Sequence, residues 1–313
     1  MRVTYPLQNA ERPGEPSVVA IGIFDGVHRG HQQILRQTIR EASSQNLVPV
    51  VLTFDTHASE LLHPERRPSY INSLSQRVNL LDRMGGGLGE VAIARFDRDF
   101  AALSPSDFIR NVLLGMLSVR HILVGADFRY GHNREGRVST LLRSGAEDNF
   151  AVTVVPPILE GNNRISSTQI RQLIHDGDVM SAVELLGHEY AVRGQVVLGK
   201  RLGTTIGYPT ANVMPEREGQ QLPSNGVYAG TITLQSAEAF RCAVSVGTNP
   251  TTDHDGVKKI EAFIMDGFSR DIYGQTVDLA FAKKIRDEKK FSSLKDLTDN
   301  IAVDVRMIDA LLG

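Results

Sequence analysis

The sequence predicts two structural parts, a parallel α/β sheet domain followed by an antiparallel β-barrel or β-sandwich with a closing helix. The chain has 313 residues, more than one hydrophobic core usually holds. Its first part alternates apolar runs with helical patterns. From about residue 188 short strands follow one another, separated by Gly, Pro, Asn and Asp. We therefore expect one domain over residues 1–187 and a second over 188–313.

The apolar runs of the first part are continuous, which favours strands that are covered on both faces. Helical patterns separate them, and this alternation predicts crossover connections within a mainly parallel sheet. Ser104 and Pro105 are typical of a helix cap and first helical residue. The predicted strands cover residues 17–24, 47–54, 90–96, 120–126 and 150–157, and the predicted helices cover 31–45, 73–84 and 104–117.

The second part begins after a short predicted helix, 178–187, whose final glycine suits a domain hinge. A last helix is expected after Ser292 or Ser293, because apolar residues recur there along one face. The strand candidates of this part are 189–198, 205–214, 226–235, 240–248, 258–266 and 275–285, and the apolar face of the last helix carries Leu294, Leu297, Ile301 and Val305.

Composition restricts the class of protein. The hydrophobic share is 41%, the charged share 22% and the net charge −2, so no global basic field attracts nucleic acid or an anionic membrane. No run approaches 18 apolar residues, and the N-terminus lacks the apolar core of a signal peptide. The single cysteine, Cys242, cannot form an internal disulfide, which fits a reducing cytoplasm; its alternating neighbours predict a packed thiol.

The first chemical motif is "IGIFDGVHRGH", which follows the first predicted strand. Ligands of open parallel sheets bind beyond the carboxyl ends of the strands. Gly26 and Gly30 allow a ligand close to the backbone. A helix that begins near Val27 would place His28 and His31 on one face of its first turn, beside free N–H groups and the positive end of the helix dipole. This combination suits a polyphosphate.

Two other interpretations of the histidine motif stay open at this point. A zinc pair is one, with Asp55 or His57 as a third ligand. A surface helix with incidental histidines is the other, and it would be preferred for His-x-x-His alone. A second motif, "NRISSTQIRQLI", favours phosphate. Hydroxyl groups stand there where a helix is expected to start, and two arginines flank them. Its residues are Arg164, Ser166, Ser167, Thr168 and Arg171.

These motifs resemble those of the HIGH-type nucleotidylyltransferases, whose signature reads G-x-F-D-x-x-H-x-G-H. The resemblance implies a Rossmann-like parallel-sheet domain, in which a substrate phosphate attacks the α-phosphorus of ATP and pyrophosphate leaves. "ISSTQIR" resembles the second phosphate motif of that family. His28 and His31 are then the expected catalytic residues, and the expected ATP-binding residues are Gly22, Phe24, Asp25, Gly30, Arg164, Ser167, Thr168 and Arg171.

A third motif, "VGADFRYG", resembles the G-x-[ND]-F-x-F-G segment of prokaryotic FAD synthetases. It implies flavin binding by Asp127, Phe128 and Tyr130. Without that resemblance, a strand followed by a loop with aromatic anchors would explain the same residues.

In the second part "GYPTAN" closely resembles the P-T-A-N motif of riboflavin kinases. The resemblance implies that Thr210 and Asn212 bind Mg²⁺ and ATP phosphates, that Gly199, Gly203 and Gly207 form a flap, and that Arg286 lies beside the flavin. Glu261 in "KKIEAF" matches the catalytic glutamate. A carboxylate suits this reaction because its nucleophile is a neutral hydroxyl that must lose a proton. "GQVVLGKR" is not a Walker A loop, since Arg201 replaces its hydroxyl residue.

The resemblance covers nearly the whole chain and implies a bifunctional enzyme of flavin synthesis. Such an enzyme phosphorylates riboflavin to FMN and adenylylates FMN to FAD, with ATP as co-substrate, Mg²⁺ as cofactor and small molecules as its only expected partners. The chain departs from the family pattern in four places: an arginine is missing at Thr204, an aromatic residue is missing at Thr252, "TFDTHA" replaces "TFDPHP" at 53–58, and "KKIEAF" replaces "RTVEAF" at 258–263. A monofunctional enzyme with a degenerate kinase module, a flavin- or nucleotide-binding regulator without turnover, and a homo-oligomer remain alternatives.

Overall fold

The computed structural model describes residues 1–10, 15–161, 163–199, 203, 207–248 and 258–313. It divides the chain into two compact units. The first unit comprises Met1–Pro68 with Leu74–Ser166, and the second comprises Ser69–Ser73 with Ser167–Gly313. Thr204 and Thr252, two of the four departures from the family pattern, lie outside the described residues. The domain boundary at residues 187/188 stays a prediction.

The first unit contains a six-stranded sheet in the order β1-β4-β3-β2-β5-β8, and every pairing in it is parallel. The predicted parallel sheet is thus confirmed, and β1 is an additional edge strand. Two short antiparallel pairs, β6 with β7 and β9 with β10, accompany the sheet. The strands are β1 Arg2–Thr4, β2 Ser17–Ile21, β3 Val48–Phe54, β4 Glu90–Ala94, β5 Val119–Gly125, β6 Arg129–Tyr130, β7 Gly136–Arg137, β8 Ala151–Val155, β9 Leu159–Glu160 and β10 Asn163–Arg164.

Helices connect these strands. The predicted helix 104–117 is divided: Ser104 caps a first turn by accepting a hydrogen bond from the Asp107 N–H at 3.1 Å, and a π-helical segment, Phe108–Met116, continues it. The helices Ala58–Leu62, Arg98–Ala101 and Val138–Asp148 lie outside the helical patterns of the sequence. The helices of this unit are α1 Arg29–Gln45, α2 Ala58–Leu62, α3 Leu74–Gly85, α4 Arg98–Ala101, α5 Pro105–Asp107 and α6 Val138–Asp148, with 3₁₀ turns at Leu7–Asn9, Pro64–Arg66 and His132–Arg134.

Both faces of the parallel sheet are buried, as the continuous apolar runs predict. Strand β2 shows this directly, because Val19 and Ile21 pack into one core cluster while Ala20 packs into another on the opposite face. All five residues of β2 are buried. The carboxyl end of this fully enclosed strand leads into the histidine motif.

The second unit is built around a closed antiparallel barrel in the order β11-β12-β15-β14-β13-β16. Buried residues alternate along its strands, and Cys242 is fully buried there, which raises the pKa of its thiol and confirms a packed side chain. Gly187 ends α8 in the left-handed conformation with φ 72°. The elements are α7 Ser167–Asp176, α8 Val179–Leu186, β11 Tyr190–Val197, β12 Thr210–Pro215, β13 Gly226–Thr233, β14 Ala239–Gly247, β15 Lys259–Ile264, β16 Thr276–Arg286 and α9 Leu294–Leu312.

The closing helix α9 packs on the barrel, but its predicted apolar face is only partly right: Leu294 is exposed, and the buried residues are Asp304 and Ile308. Ser293 caps it by accepting a hydrogen bond from the Asp296 N–H at 3.1 Å. The fully buried Ile308 shares a core cluster with Ala229 and Met265 of the barrel side. Among the described residues, no helix combines the length and apolar character that a membrane crossing requires.

Residues 69–73 interrupt the first unit in sequence and pack within the second, which the sequence did not predict. The Tyr70 N–H donates to the Gly219 carbonyl at 3.2 Å, and the Gln221 N–H donates to the Tyr70 carbonyl at 2.7 Å. Tyr70 and Ile71 are both buried. The pairing partner of this segment is therefore the loop between β12 and β13.

Candidate active sites

The histidine motif forms a tight turn between β2 and α1. Phe24, with φ 56°, and Gly26, with φ 82°, reverse the chain in the left-handed region. Helix α1 begins at Arg29, between the two predicted starts near Val27 and at residue 31, because His28 has extended φ/ψ angles and serves as its N-cap. The His28 Nδ1 accepts a hydrogen bond from the His31 N–H at 3.3 Å. One predicted catalytic histidine thus fixes the start of the helix that carries the other.

The two imidazole rings stack directly on each other, with centroids 3.6 Å apart and planes 17° apart. Gly30 makes this possible, because a Cβ there would lie only 3.1 Å from His28 Cε1 and Nδ1. The buried Phe24 ring packs edge-on against His31 at a centroid distance of 5.1 Å. The glycine and the phenylalanine of the motif therefore hold the histidine pair in place.

His31 is electrostatically prepared for an anion. Its pKa lies well below the ordinary value, first because burial disfavours the charged ring, and then because His28, Arg164 and Arg77 add positive charge nearby. Its Nδ1 is buried and has no hydrogen-bond partner among the described residues. A buried nitrogen of this kind normally bonds to protein, water or a ligand. The pair thus offers a neutral imidazole and an unused polar atom, surrounded by cationic groups.

Arg164 and Asp127 form a forked ion pair, although the sequence motifs assign them to different ligands. The Arg164 Nη1 and Nη2 atoms donate to the two Asp127 carboxylate oxygens at 3.0 and 3.1 Å. The hydrogen bond from Arg164 lowers the pKa of Asp127. The side chains are 47% and 66% exposed, so a ligand can reach both. The predicted phosphate-binding and flavin-binding residues are therefore neighbours within the first unit.

Asp127 stands at the wall of a cavity of about 300 Å³ in the same unit. Its lining includes six phenylalanine and tyrosine rings, of which Phe128 and Tyr130 stack with centroids 5.6 Å apart. An apolar cavity of this size with a few polar groups at its edge is typical of a small-molecule site. The sequence identified Asp127, Phe128 and Tyr130; the further aromatic lining, Phe54, Phe96, Phe100 and Phe108, is scattered along the chain and gave no motif.

The zinc alternative gains no support. Asp55 accepts a hydrogen bond from the Phe96 N–H at 2.9 Å and another from the Tyr5 hydroxyl at 3.1 Å. His57 caps α2, where its Nδ1 accepts from the Ser59 N–H at 3.1 Å. Throughout the described ranges, no three His, Cys, Asp or Glu side chains are grouped to hold a metal ion.

The second phosphate motif starts helix α7 at Ser167, as expected. Thr168 is exposed and Arg171 is half-buried in the first turns. These residues belong to the second unit, whereas Arg164 belongs to the first. Their predicted part in ATP binding stays a prediction.

The predicted kinase residues lie together on one face of the barrel. Asn212 of β12 is the direct cross-strand partner of Glu261 of β15, and the Thr210 hydroxyl donates to Glu261 Oε2 at 3.3 Å. All three side chains are partly exposed, while their strand neighbours Ala211 and Ala262 are buried. Since side chains alternate along a strand, hydroxyl, amide and carboxylate groups converge on the same surface.

The predicted flap glycines lie close to this surface. A Cβ at Gly199 would overlap the Asn212 side-chain amide, so a larger residue here would displace that amide. The Gly203 carbonyl accepts a hydrogen bond from the Tyr208 N–H at 2.8 Å, and Gly207 has φ 82°. Much of the intervening segment lies outside the described residues.

A second cavity, of about 250 Å³, opens beside Thr210. Apolar and aromatic side chains from β11, the end of β15 and the loop that follows line it, including Phe268, Ile272 and Tyr273. The sequence motifs did not identify these residues, because they come from a loop without a recognised pattern. The cavity adjoins the hydroxyl that is expected to bind phosphate.

Arg286, the predicted flavin neighbour, is held by the closing helix. Its Nε and Nη2 atoms donate to the Asp304 carboxylate at 2.8–3.0 Å. Both side chains are largely buried, and the guanidinium lies 5.6 Å from the Phe291 ring centroid. The pair ties the end of β16 to α9, and the proposed flavin contact of Arg286 stays a prediction.

Comparisons with known proteins match two family models to two successive parts of the chain. The family model described as FAD synthetase matches residues 10–169, and that described as riboflavin kinase matches residues 186–312. A protein of Escherichia coli K12, named bifunctional riboflavin kinase/FMN adenylyltransferase, is 38% identical over 94% of this chain and 92% of its own length. This chain belongs to the bifunctional riboflavin kinase/FMN adenylyltransferase family.

A member of the same family from Haemophilus influenzae aligns over the full length of both chains with 35% identity. A crystal structure described as a macrolide-efflux protein from Streptococcus pneumoniae is also similar. It gives a TM-score of 0.83 at 32% identity and covers 98% of each chain. Membership of the bifunctional family therefore extends over both units of this chain.

Proposed function

We propose that this chain catalyses both steps of FAD synthesis, first the phosphorylation of riboflavin and then the adenylylation of FMN. One observation carries the proposal: a single chain combines a histidine pair beside an aromatic cavity in one unit with a Thr–Asn–Glu surface on the barrel of the other. Each cluster suits one of the two reactions.

The barrel suits the kinase step. The Glu261 carboxylate takes the proton of the riboflavin 5′-hydroxyl as the oxygen bonds to the γ-phosphorus of ATP, and ADP leaves. Thr210 and Asn212 supply hydroxyl and amide oxygens beside that carboxylate, and oxygen donors are the ligands that Mg²⁺ prefers. When bound there, Mg²⁺ would neutralise phosphate charge. The cavity beside Thr210 offers apolar space for the nucleotide base.

The first unit suits adenylyl transfer. An oxygen of the FMN phosphate bonds to the α-phosphorus of ATP, and the bond to the departing pyrophosphate breaks. Since the attacking oxygen is already anionic, no strong base is needed, and catalysis relies on positioning and on stabilising negative charge. His28, His31 and Arg164 provide those donors. The aromatic cavity, with Asp127 at its wall, offers a stacking surface for the flat flavin ring.

The test is a turnover assay with riboflavin, ATP and Mg²⁺, followed by chromatographic separation of the flavins. We expect FMN first and FAD later. Accumulation of FMN alone would point to the monofunctional alternative, and unchanged riboflavin with bound ligand would point to the regulator. We further expect both reactions to take place in the cytoplasm, a prediction from the cysteine content.

A further inference from the structure

Arg77 is a buried arginine beneath the adenylyl-transfer site, and no sequence motif identified it. It lies on α3 and is only 2% exposed. Its Nη1 donates to the Ile23 carbonyl at 2.9 Å and its Nη2 to the Phe54 carbonyl at 2.5 Å. Removing a guanidinium from water is costly unless good hydrogen bonds compensate for the lost hydration. The hydrogen bonds to these two carbonyls compensate for the burial of the guanidinium.

Both carbonyls lie at the carboxyl edge of the sheet, where β2 and β3 lead into functional turns. The parallel pairing of these strands ends at Ile21 and Leu52. Beyond that pair, Ile23 leads into the histidine turn and Phe54 is the last residue of β3. Both Ile23 and Phe54 also line the aromatic cavity. One guanidinium thus connects the two chain segments just past the point where β2 and β3 stop pairing, while Phe54 is still paired with Ala94 of β4.

The chemistry of the side chain fits this connection. A guanidinium is planar and presents parallel N–H donors, so it can bond to two oxygens at a fixed separation. Lysine would keep the charge but would lose the fork, and methionine would fill similar space without a donor. The Thr53 hydroxyl donates to the same Ile23 carbonyl at 3.1 Å, which adds a second, uncharged support.

We propose that Arg77 is a positioning residue for adenylyl transfer: its guanidinium fixes the ends of β2 and β3 relative to each other, and so holds the histidine turn in register with the aromatic cavity. This inference rests on the proposed function of the first unit. In that reaction the attacking phosphate belongs to the ligand of the cavity, and the phosphorus under attack belongs to the ligand of the histidines. A change in the distance between the attacking phosphate and this phosphorus therefore lowers the rate of adenylyl transfer.

The charge of Arg77 has a second effect on the same site. Burial, His28, Arg164 and Arg77 all favour the neutral form of His31, and therefore lower its pKa. Loss of the charge at position 77 raises the pKa of His31, whereas loss of the fork alone does not. The two contributions of Arg77 can therefore be separated by two substitutions.

The experiment compares Arg77→Lys, Arg77→Met and a matched control, Arg83→Met, in the full chain. Arg83 is an exposed arginine of the same helix. We expect kcat for FAD formation from FMN and ATP to fall about 10–100-fold in both Arg77 variants, because a misplacement of about 1 Å costs up to that much. Riboflavin phosphorylation should stay within about twofold, and the Arg83 variant should match the parent.

A second readout follows the His31 ring by NMR titration. Its pKa should rise in Arg77→Met and stay near the parent value in Arg77→Lys, an outcome that a purely structural residue would not produce. If Arg77→Met does not fold, the kcat of Arg77→Lys for FAD formation is the test. Its riboflavin kinase activity then shows whether the chain is folded.

The outcomes distinguish the inference from the function on which it rests. If the parent chain makes no FAD, the proposed function is wrong. If the parent makes FAD and Arg77→Lys retains its kcat, the inference is wrong while the function stands. Reduced thermal stability with an unchanged kcat would equally contradict it.

Discussion

Replacement of Glu261 by glutamine gives the sharpest test of the kinase site. In the parent chain the Thr210 hydroxyl donates a hydrogen bond to Glu261 Oε2 at 3.3 Å. Glutamine keeps the size of the side chain and a carbonyl oxygen that can accept this hydrogen bond. It loses the negative charge of the carboxylate, and with it the ability to take a proton. A neutral hydrogen bond on a partly exposed surface contributes about 0.5–1.5 kcal/mol, so we expect the free energy of unfolding to change by less than about 1 kcal/mol.

The rate should respond far more strongly than the stability. A positioned base contributes about 10²- to 10⁴-fold, which corresponds to about 3–5 kcal/mol of activation free energy. The assay measures kcat for riboflavin phosphorylation, with FAD formation from supplied FMN as the internal control. Glu189→Gln is the matched control variant, because Glu189 is an exposed glutamate just before the same barrel. A kcat within threefold of the parent would refute the role of Glu261.

Three further predictions concern the first unit. Replacing His28 and His31 together by alanine should abolish FAD formation and leave riboflavin phosphorylation within about twofold; loss of both activities in a folded variant would contradict separable sites. The lowered pKa of His31 means that the unfolded chain binds a proton there more readily, so this group destabilises the fold as the pH falls below about 6.5. His31→Asn should therefore flatten the pH dependence of the melting temperature below that value, and an unchanged slope would count against it. Asp127→Asn should raise the KM for FMN several-fold while stability changes by less than about 1 kcal/mol, because the pair with Arg164 is exposed; an unaltered KM would remove Asp127 from the flavin site.

Local sequence patterns were sufficient wherever a short stretch carries both a fold signal and a chemical signal. The apolar run, glycines and histidines of residues 18–31 predicted a buried strand, a turn and an anion site together. The P-T-A-N motif placed Thr210 and Asn212 on a strand, and the structure adds Glu261 as the direct cross-strand partner of Asn212. Regularly spaced short strands with turn residues between them predicted an antiparallel barrel or sandwich, and the structure shows a closed barrel.

Contacts between residues far apart in the sequence could not be predicted from these local patterns. Arg77 occupies an ordinary position of an amphipathic helix, and only the folded chain shows that its guanidinium reaches Ile23 and Phe54. The pairing of Arg164 with Asp127 joins residues 37 positions apart that belong to separate motifs. The packing of residues 69–73 within the second unit has no local signature at all.

The central claim is that one chain performs two different transfers from ATP, and isotopic labelling tests it most directly. Riboflavin, Mg²⁺ and the chain are incubated with ATP labelled at the γ-phosphorus or, separately, at the α-phosphorus, and the flavins are separated. We expect phosphorus from the γ-position of ATP to enter FMN and to persist in FAD, and phosphorus from the α-position to appear in FAD alone. An absence of label from every flavin, or α-label in FMN, would contradict it.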